Sequence, residues 1–261
     1  MRVLLLGATG NLGSRLIPAV LAHGHTVIAS ARSREKLRAL ISPTLFDRIE
    51  VVEIDALDSP AVEDILRTHD CEAIVNAAGT RIRDGEQIVG RIAASVSSAA
   101  VRVGKQRGGK PLRAWFIGGM GSLEYPGTGG RHVQDYLPVW MTEHHRETAA
   151  VLKAVPTADL AWTLLCVAFM VADSKAIELL EHPRGHGLRV AARSPPDWED
   201  SWVRVVPLVG VYLNLIPVLR SYATKLEDTA DLIAESLTKK EDRSYVGELV
   251  GMKEAGGKER G

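Results

Sequence analysis

A short apolar strand, Val3-Leu4-Leu5-Leu6, runs directly into Gly7-Ala8-Thr9-Gly10-Asn11-Leu12-Gly13 and then into a helical stretch, Leu12–Ala22. Few local patterns restrict a fold so strongly. Between a strand and a helix, the first glycine of such a motif allows a tight turn, the second lets a phosphate approach the backbone, and the third lets the helix pack on the sheet. The helix start at Asn11 and Leu12 offers free N–H groups and a partial positive charge to a diphosphate. Gly7, Thr9, Gly10, Asn11, Leu12 and Gly13 are therefore the first cofactor-binding candidates, and a nicotinamide dinucleotide is the expected ligand.

The rest of the chain repeats the strand–helix rhythm up to about Val167. Strands are expected at Val3–Leu6, Thr26–Ser30, Ile49–Ile54, Ala73–Asn76, Ala114–Ile117 and Trp162–Val167, most of them continuous apolar runs of the kind covered on both faces. Helices are expected at Leu12–Ala22, Arg34–Leu40, Pro60–Thr68, Glu86–Lys105 and Glu143–Ala154, with Asp58-Ser59-Pro60 marking one start clearly. This is the pattern of an α/β, Rossmann-type doubly wound parallel sheet. Residues 183–222 break it: Pro183, Pro195, Pro196, Pro207 and Pro217 argue against a regular central strand or an uninterrupted helix and predict a small loop-rich cap. A helix at Leu226–Leu237 and a strand at Ser244–Val250 would close what reads as one domain over 1–261, with Glu254–Gly261 a frayed tail.

Composition removes several functions. The 32 basic and 32 acidic side chains cancel, so no general field favours a nucleic-acid partner or an anionic membrane. Cys71 and Cys166 both sit in apolar runs, as free thiols do in reducing compartments, and no secretory leader is evident, so a cytoplasmic protein is expected. The longest apolar stretch, Val205 to Leu219, is too short and too interrupted by proline to span a bilayer. No histidine has metal-ligand spacing with acids or cysteines, and Ser122 lacks the setting of a hydrolase nucleophile.

The second strand ends in Ala29-Ser30-Ala31-Arg32-Ser33, without the acid that usually bonds a ribose 2′-hydroxyl. Arg32, with Arg34 or Lys36 nearby, suits a 2′-phosphate instead, so NADP(H) is the expected cofactor. A solvated arginine at a helix start is the plainer alternative.

Taken together, the glycine turn, Arg32, Asp55-Ala56, Asn76-Ala77-Ala78-Gly79, Gly118-Gly119-Met120-Gly121-Ser122 and Leu160-Ala161-Trp162-Thr163 resemble the atypical branch of the short-chain dehydrogenase/reductases. The likeness is to the NAD(P)-binding, flavin-reductase-like subgroup, similar in outline to biliverdin reductase B and NmrA-like regulators. It covers roughly residues 1–170. It implies that Asp55 and Ala56 lie near the adenine, that Ala77, Ala78 and Gly79 line the ribose–pyrophosphate side, and that Gly118, Gly119, Val167, Ala168 and Phe169 flank the nicotinamide. For Asp55, a turn or helix-capping acid is an equal alternative.

No tyrosine of the chain has a lysine four residues on, so the Tyr-x-x-x-Lys proton donor of ordinary members is missing, and glycines stand where strand five usually ends in serine. His145, with an imidazole that titrates near neutrality, is the first acid/base candidate, ahead of Tyr125 and Tyr136. A solvent-facing His144-His145 pair is the alternative. A flavin or quinone can accept hydride and collect its proton from water, so the expected activity is NADPH-dependent reduction of a flavin-like, quinone-like or conjugated apolar small molecule. A redox-neutral isomerase or cyclase and a non-enzymatic NADP(H) sensor are the competing readings. Trp198, Trp202, Val205–Leu208, Tyr212 and Leu213–Leu219 would roof a hydrophobic substrate, or else pack on the sheet or form a homodimer contact.

Overall fold

A computed structural model of the protein describes residues 1–79, 88–206, 210–238 and 243–256. The strands are β1 (Arg2–Leu6), β2 (Thr26–Ala31), β3 (Glu50–Glu53), β4 (Ala73–Asn76), β5 (Leu112–Gly119), β6 (Leu160–Val167), β7 (Met170–Val171), β8 (Leu188–Ala192), β9 (Thr224–Lys225) and β10 (Leu249–Glu254). The α-helices are α1 (Asn11–Ala22), α2 (Arg34–Leu40), α3 (Pro43–Phe46), α4 (Ser59–Thr68), α5 (Ile88–Gln106), α6 (Val139–Lys153), α7 (Gly210–Ser221) and α8 (Leu226–Thr238). Eight strands make one sheet in the order β3-β2-β1-β4-β5-β6-β10-β8, while β7 and β9 pair separately. Every pairing is parallel except that of β8 with β10. The strand order reverses at β1, between β2 and β4, and ligands of such sheets bind at the carboxyl ends beside that reversal.

Side-chain alternation explains the two helical layers. Val3 and Leu5 of β1 join the core formed with α1, α2 and α8, whereas Leu4 and Leu6 join the core of α4, α5 and α6. A strand sandwiched in this way needs apolar residues at every position, which is why β1 and β4 read as unbroken runs. Helix starts follow their signals: Asp58 accepts the Ala61 N–H at 3.0 Å before α4, and Ser33 accepts the Lys36 N–H at 3.2 Å before α2.

Three expectations need correction. Helix α6 begins at Val139, directly after Pro138, four residues before the expected Glu143. The closing strand begins at Leu249 rather than Ser244, because the Gly247 N–H bonds to Trp162 O at 2.7 Å and residues 244–247 form a turn. The 183–222 segment is also more regular than its prolines suggest. Pro183, Pro195 and Pro196 flank β8 without entering it, and β8 is an edge strand, where proline neighbours cost little. Pro217 lies inside α7; the bond it removes is to the carbonyl of Leu213, a residue exposed to water. The expected helix start at Glu86, and Pro207 and Leu208 of the cap, fall outside the described residues.

The segment's polar core holds it in place. Asp200 accepts hydrogen bonds from Tyr125 Oη (3.0 Å), Trp198 Nε1 (2.9 Å), Asn214 Nδ2 (2.8 Å) and Arg204. Asn214, fully buried, also accepts the Ser201 N–H at 2.7 Å and donates to Tyr125 Oη at 3.0 Å. Trp198, Val218 and Tyr222 join the core of the α4–α6 layer, so this part of the segment packs on the sheet face, as the plainer alternative for it supposed. Asn214→Leu keeps much of the volume but strands one donor, the Ser201 N–H, and takes a donor from two acceptors, Tyr125 Oη and Asp200 Oδ1, and we expect a loss of about 2–4 kcal/mol, read from the urea midpoint. Tyr125→Phe, which leaves Asp200 three of its four donors, should cost about 1–2 kcal/mol.

Candidate cofactor site

The glycine turn sits at the carboxyl end of β1 with a backbone only glycine suits. Gly7 has φ +80°, and a Cβ there would lie 2.6–2.7 Å from the backbone of Ala77 and Ala78. A Cβ on Gly13 would meet the Gly7 carbonyl oxygen at 2.0 Å, so the third glycine lets α1 close onto the strand end. Gly10 precedes α1 in extended conformation, and its N–H closes the turn on Gly7 O at 2.9 Å. The first bond into the helix runs from Ser14 N–H to Gly10 O, which leaves the N–H groups of Asn11, Leu12 and Gly13 without intrahelical partners. No side chain caps them and no acid stands in the first turn. Thr9 is half-buried in the bend.

The remaining candidates line the same edge. Leu6 is in register with Asn76, Ala31 with Glu53, and Gly119 with Val167. After β4, Ala77 N–H bonds to Leu6 O at 3.0 Å and Ala78 N–H to Asn76 Oδ1 at 3.2 Å; Gly79 is exposed. Asn76 was visible as part of its motif, but its role in shaping this turn was not. Asp55 is exposed and accepts the Leu57 N–H at 2.9 Å, which is the turn role foreseen as its alternative; Ala56 is half-buried beside it. Gly118 is packed closely on Leu164, 2.9 Å from an ideal Cβ, and Gly119 ends the strand. Val167 and Ala168 are half-buried, while Phe169 is 53% exposed with its carbonyl bonded to Thr224 N–H at 2.9 Å.

Arg32 follows β2, exposed and with no hydrogen bond or ion pair to any of the described residues. Arg34 is differently engaged: it donates to Val51 O at 3.3 Å and lies 5.3 Å over the Phe46 ring. Lys36 is exposed.

The acid/base candidates separate. Tyr125 is buried; burial first, then its bond to Asp200, raises its phenol above the usual range, and that hydroxyl is engaged on both sides. It serves the cap and is a poor proton donor. Tyr136 packs edge-on against Tyr125 at 5.3 Å, and its hydroxyl has no partner among the described residues. His145 lies on α6, and its side chain is outside the described residues. Burial pushes the Cys71 and Cys166 thiols up to about 12, so neither is a thiolate nucleophile. No group of metal-ligating side chains occurs among the described residues, and no helix among them is long and apolar enough to cross a membrane.

A clamp that the sequence did not reveal ties both ends of this edge together. Arg15 of α1 donates to Asn11 O (3.0 Å), to Ser174 O (2.7 Å) and to Glu227 Oε1 (2.7 Å). Glu227 in turn accepts the N–H groups of Asp173 and Ser174 at 2.9 and 3.3 Å, in the chain just beyond β7. Burial alone would raise the Glu227 carboxyl, but these donors outweigh it and hold it below the usual range. A depressed folded value means that its stabilisation is complete above the unfolded glutamate value and is lost as pH falls through the folded one. Stability of the native chain should therefore drop as pH falls below the usual glutamate range, and Glu227→Gln should flatten that slope in urea melts.

A model of a family described as NAD(P)H-binding matches residues 7–193. The chain belongs to that NAD(P)H-binding family. The match begins at the first glycine of the turn and runs from there through β2 to the end of β8. No curated protein matches the sequence significantly. Among solved structures, a short-chain dehydrogenase/reductase from Veillonella parvula in complex with NADP is similar over 98% of this chain and 95% of its own, at 16% identity and a TM-score of 0.63. A Streptococcus pneumoniae protein provisionally named an NADH-flavin reductase is similar over 97% and 99%, at 16% identity and a TM-score of 0.63. A provisional epimerase from Bacteroides thetaiotaomicron gives 17% identity and a TM-score of 0.66 over 99% of both chains. At such identities the likeness establishes the fold. The turn's geometry independently suits the family's ligand: the glycines clear the approach, and the three helix N–H groups have no partner among the described residues.

Proposed function

We propose that the protein is an NADPH-dependent reductase acting on an apolar, conjugated acceptor of the flavin or quinone kind. One observation carries the reading of the acceptor: the Tyr-x-x-x-Lys pair that protonates a simple ketone is missing from the sequence. Strand β5 ends in Gly118-Gly119, no Tyr-x-x-x-Lys pair exists, and Tyr125 is occupied in the cap. When bound, the cofactor supplies a hydride. The Asn11, Leu12 and Gly13 N–H groups hold its diphosphate, and Arg32 pairs with the 2′-phosphate. Asp55, Ala56 and Ala77–Gly79 line the adenosine side; Gly118, Gly119, Val167 and Ala168 line the nicotinamide side. Phe169 contributes an exposed ring against which a flat apolar acceptor can stack. His145, then Tyr136, is the group assigned to hold a proton near the acceptor. The Streptococcus neighbour's name points the same way.

The test is consumption of NADPH with a panel of free flavins, quinones, enones and simple ketones. Turnover with a flavin or quinone and none with the ketones is the expected result. Silence across the panel sinks the proposal. With an acceptor in hand, unchanged turnover of His145→Ala would remove that residue from it.

A further inference from the structure

A cavity of about 360 Å³ opens between the sheet and α8, well away from the strand ends that carry the cofactor turn. Trp115 and Thr163, which line it, are paired in register four residues before the Gly119–Val167 pair, so it lies roughly 13 Å down the strands from that edge. Its origin is a mismatch of strand lengths. β10 begins level with Leu164, leaving the amino-terminal half of β6 beside a turn instead of a strand.

The walls are chemically divided. Trp115, Leu188, Val190 and Leu232 supply an apolar side, and Arg113, His186 and Glu235 a polar one. The Leu188 N–H donates to His186 Nδ1 at 3.0 Å, which makes Nδ1 an acceptor and leaves the ring proton on Nε2, 3.0 Å from Glu235 Oε2. Arg113 and Glu235 thus put one cationic and one anionic group on the cavity wall, each with contacts inside the protein. A volume of about 300–1,000 Å³ is typical of small-ligand sites, and here polar groups share the lining with apolar ones.

We propose that this cavity is a second binding site, for a zwitterion with an apolar body: an α-amino acid with an aromatic or branched side chain. Its carboxylate pairs with Arg113, its ammonium group with Glu235, and its side chain lies against the apolar wall of Leu188, Val190 and Leu232. A guanidinium has five N–H donors and a carboxylate about four acceptor directions, so both can serve a ligand alongside their contacts within the protein.

Calorimetric titration of the full chain with L-phenylalanine, with and without saturating NADPH, tests this directly. One molecule should bind under both conditions. 3-Phenylpropionate, which lacks the ammonium group, and phenethylamine, which lacks the carboxylate, should each bind at least about tenfold more weakly. Arg113→Met and Glu235→Gln should each weaken L-phenylalanine by a similar factor while leaving NADPH uptake unchanged. Absence of L-phenylalanine binding, its loss in the presence of NADPH, or equal affinity for the three compounds overturns the proposal. The comparison of analogues uses the unaltered chain, so it decides the matter whether or not a variant folds.

Discussion

Gly7→Ala should abolish measurable NADPH binding and lower stability by about 3 kcal/mol. Two costs add at this one position. The left-handed backbone, φ +80°, costs an alanine roughly 1–2 kcal/mol, and the new methyl would overlap the Ala77–Ala78 backbone, which cannot rotate out of the way. Relief requires the β1 and β4 ends to part, and those ends shape the cradle for the diphosphate. Gly24→Ala is the matched control. Gly24 has φ +76° but nothing within 4 Å of an ideal Cβ, so it should cost about 1 kcal/mol and leave cofactor affinity alone. Thermal melts and NADPH titrations on the two variants separate strain from obstruction; equal losses of affinity would show that the turn does not hold the cofactor.

Arg32→Ala should weaken NADPH by about 10- to 100-fold while changing NADH by less than about threefold. The range corresponds to one charge-assisted contact between a guanidinium and a phosphate. Arg32 is suited to it because it is exposed and has no partner among the described residues, whereas Arg34 is engaged with Val51 and Phe46. Arg34→Ala should accordingly have the smaller effect on NADPH. A parallel fall for both cofactors would instead mean that Arg32 supports the fold of the β2 end and does not read the 2′-phosphate.

The parts of this site that are legible in the sequence are those governed by local rules. A glycine must stand where φ is positive or another backbone passes within contact, and a doubly covered strand must be apolar throughout, so the turn and most strands can be located within a residue or two. Arg15 and Glu227 are 212 positions apart, and nothing in either neighbourhood signals the contact. Tyr125 illustrates a second limit: a tyrosine near strand five reads as a candidate acid until Asp200 and Asn214, both distant in sequence, are seen to engage its hydroxyl. The proline-rich segment shows a third, since proline excludes a central strand but not an edge strand between prolines or a helix whose unpaired carbonyl reaches water.

The account depends most on a phosphorylated dinucleotide lying across the β1–α1 junction. Calorimetric titration of the unaltered chain with NADPH and NADH measures this directly. One NADPH should bind per chain, at least about tenfold more tightly than NADH. A folded protein that takes up neither nucleotide would contradict the account at its root.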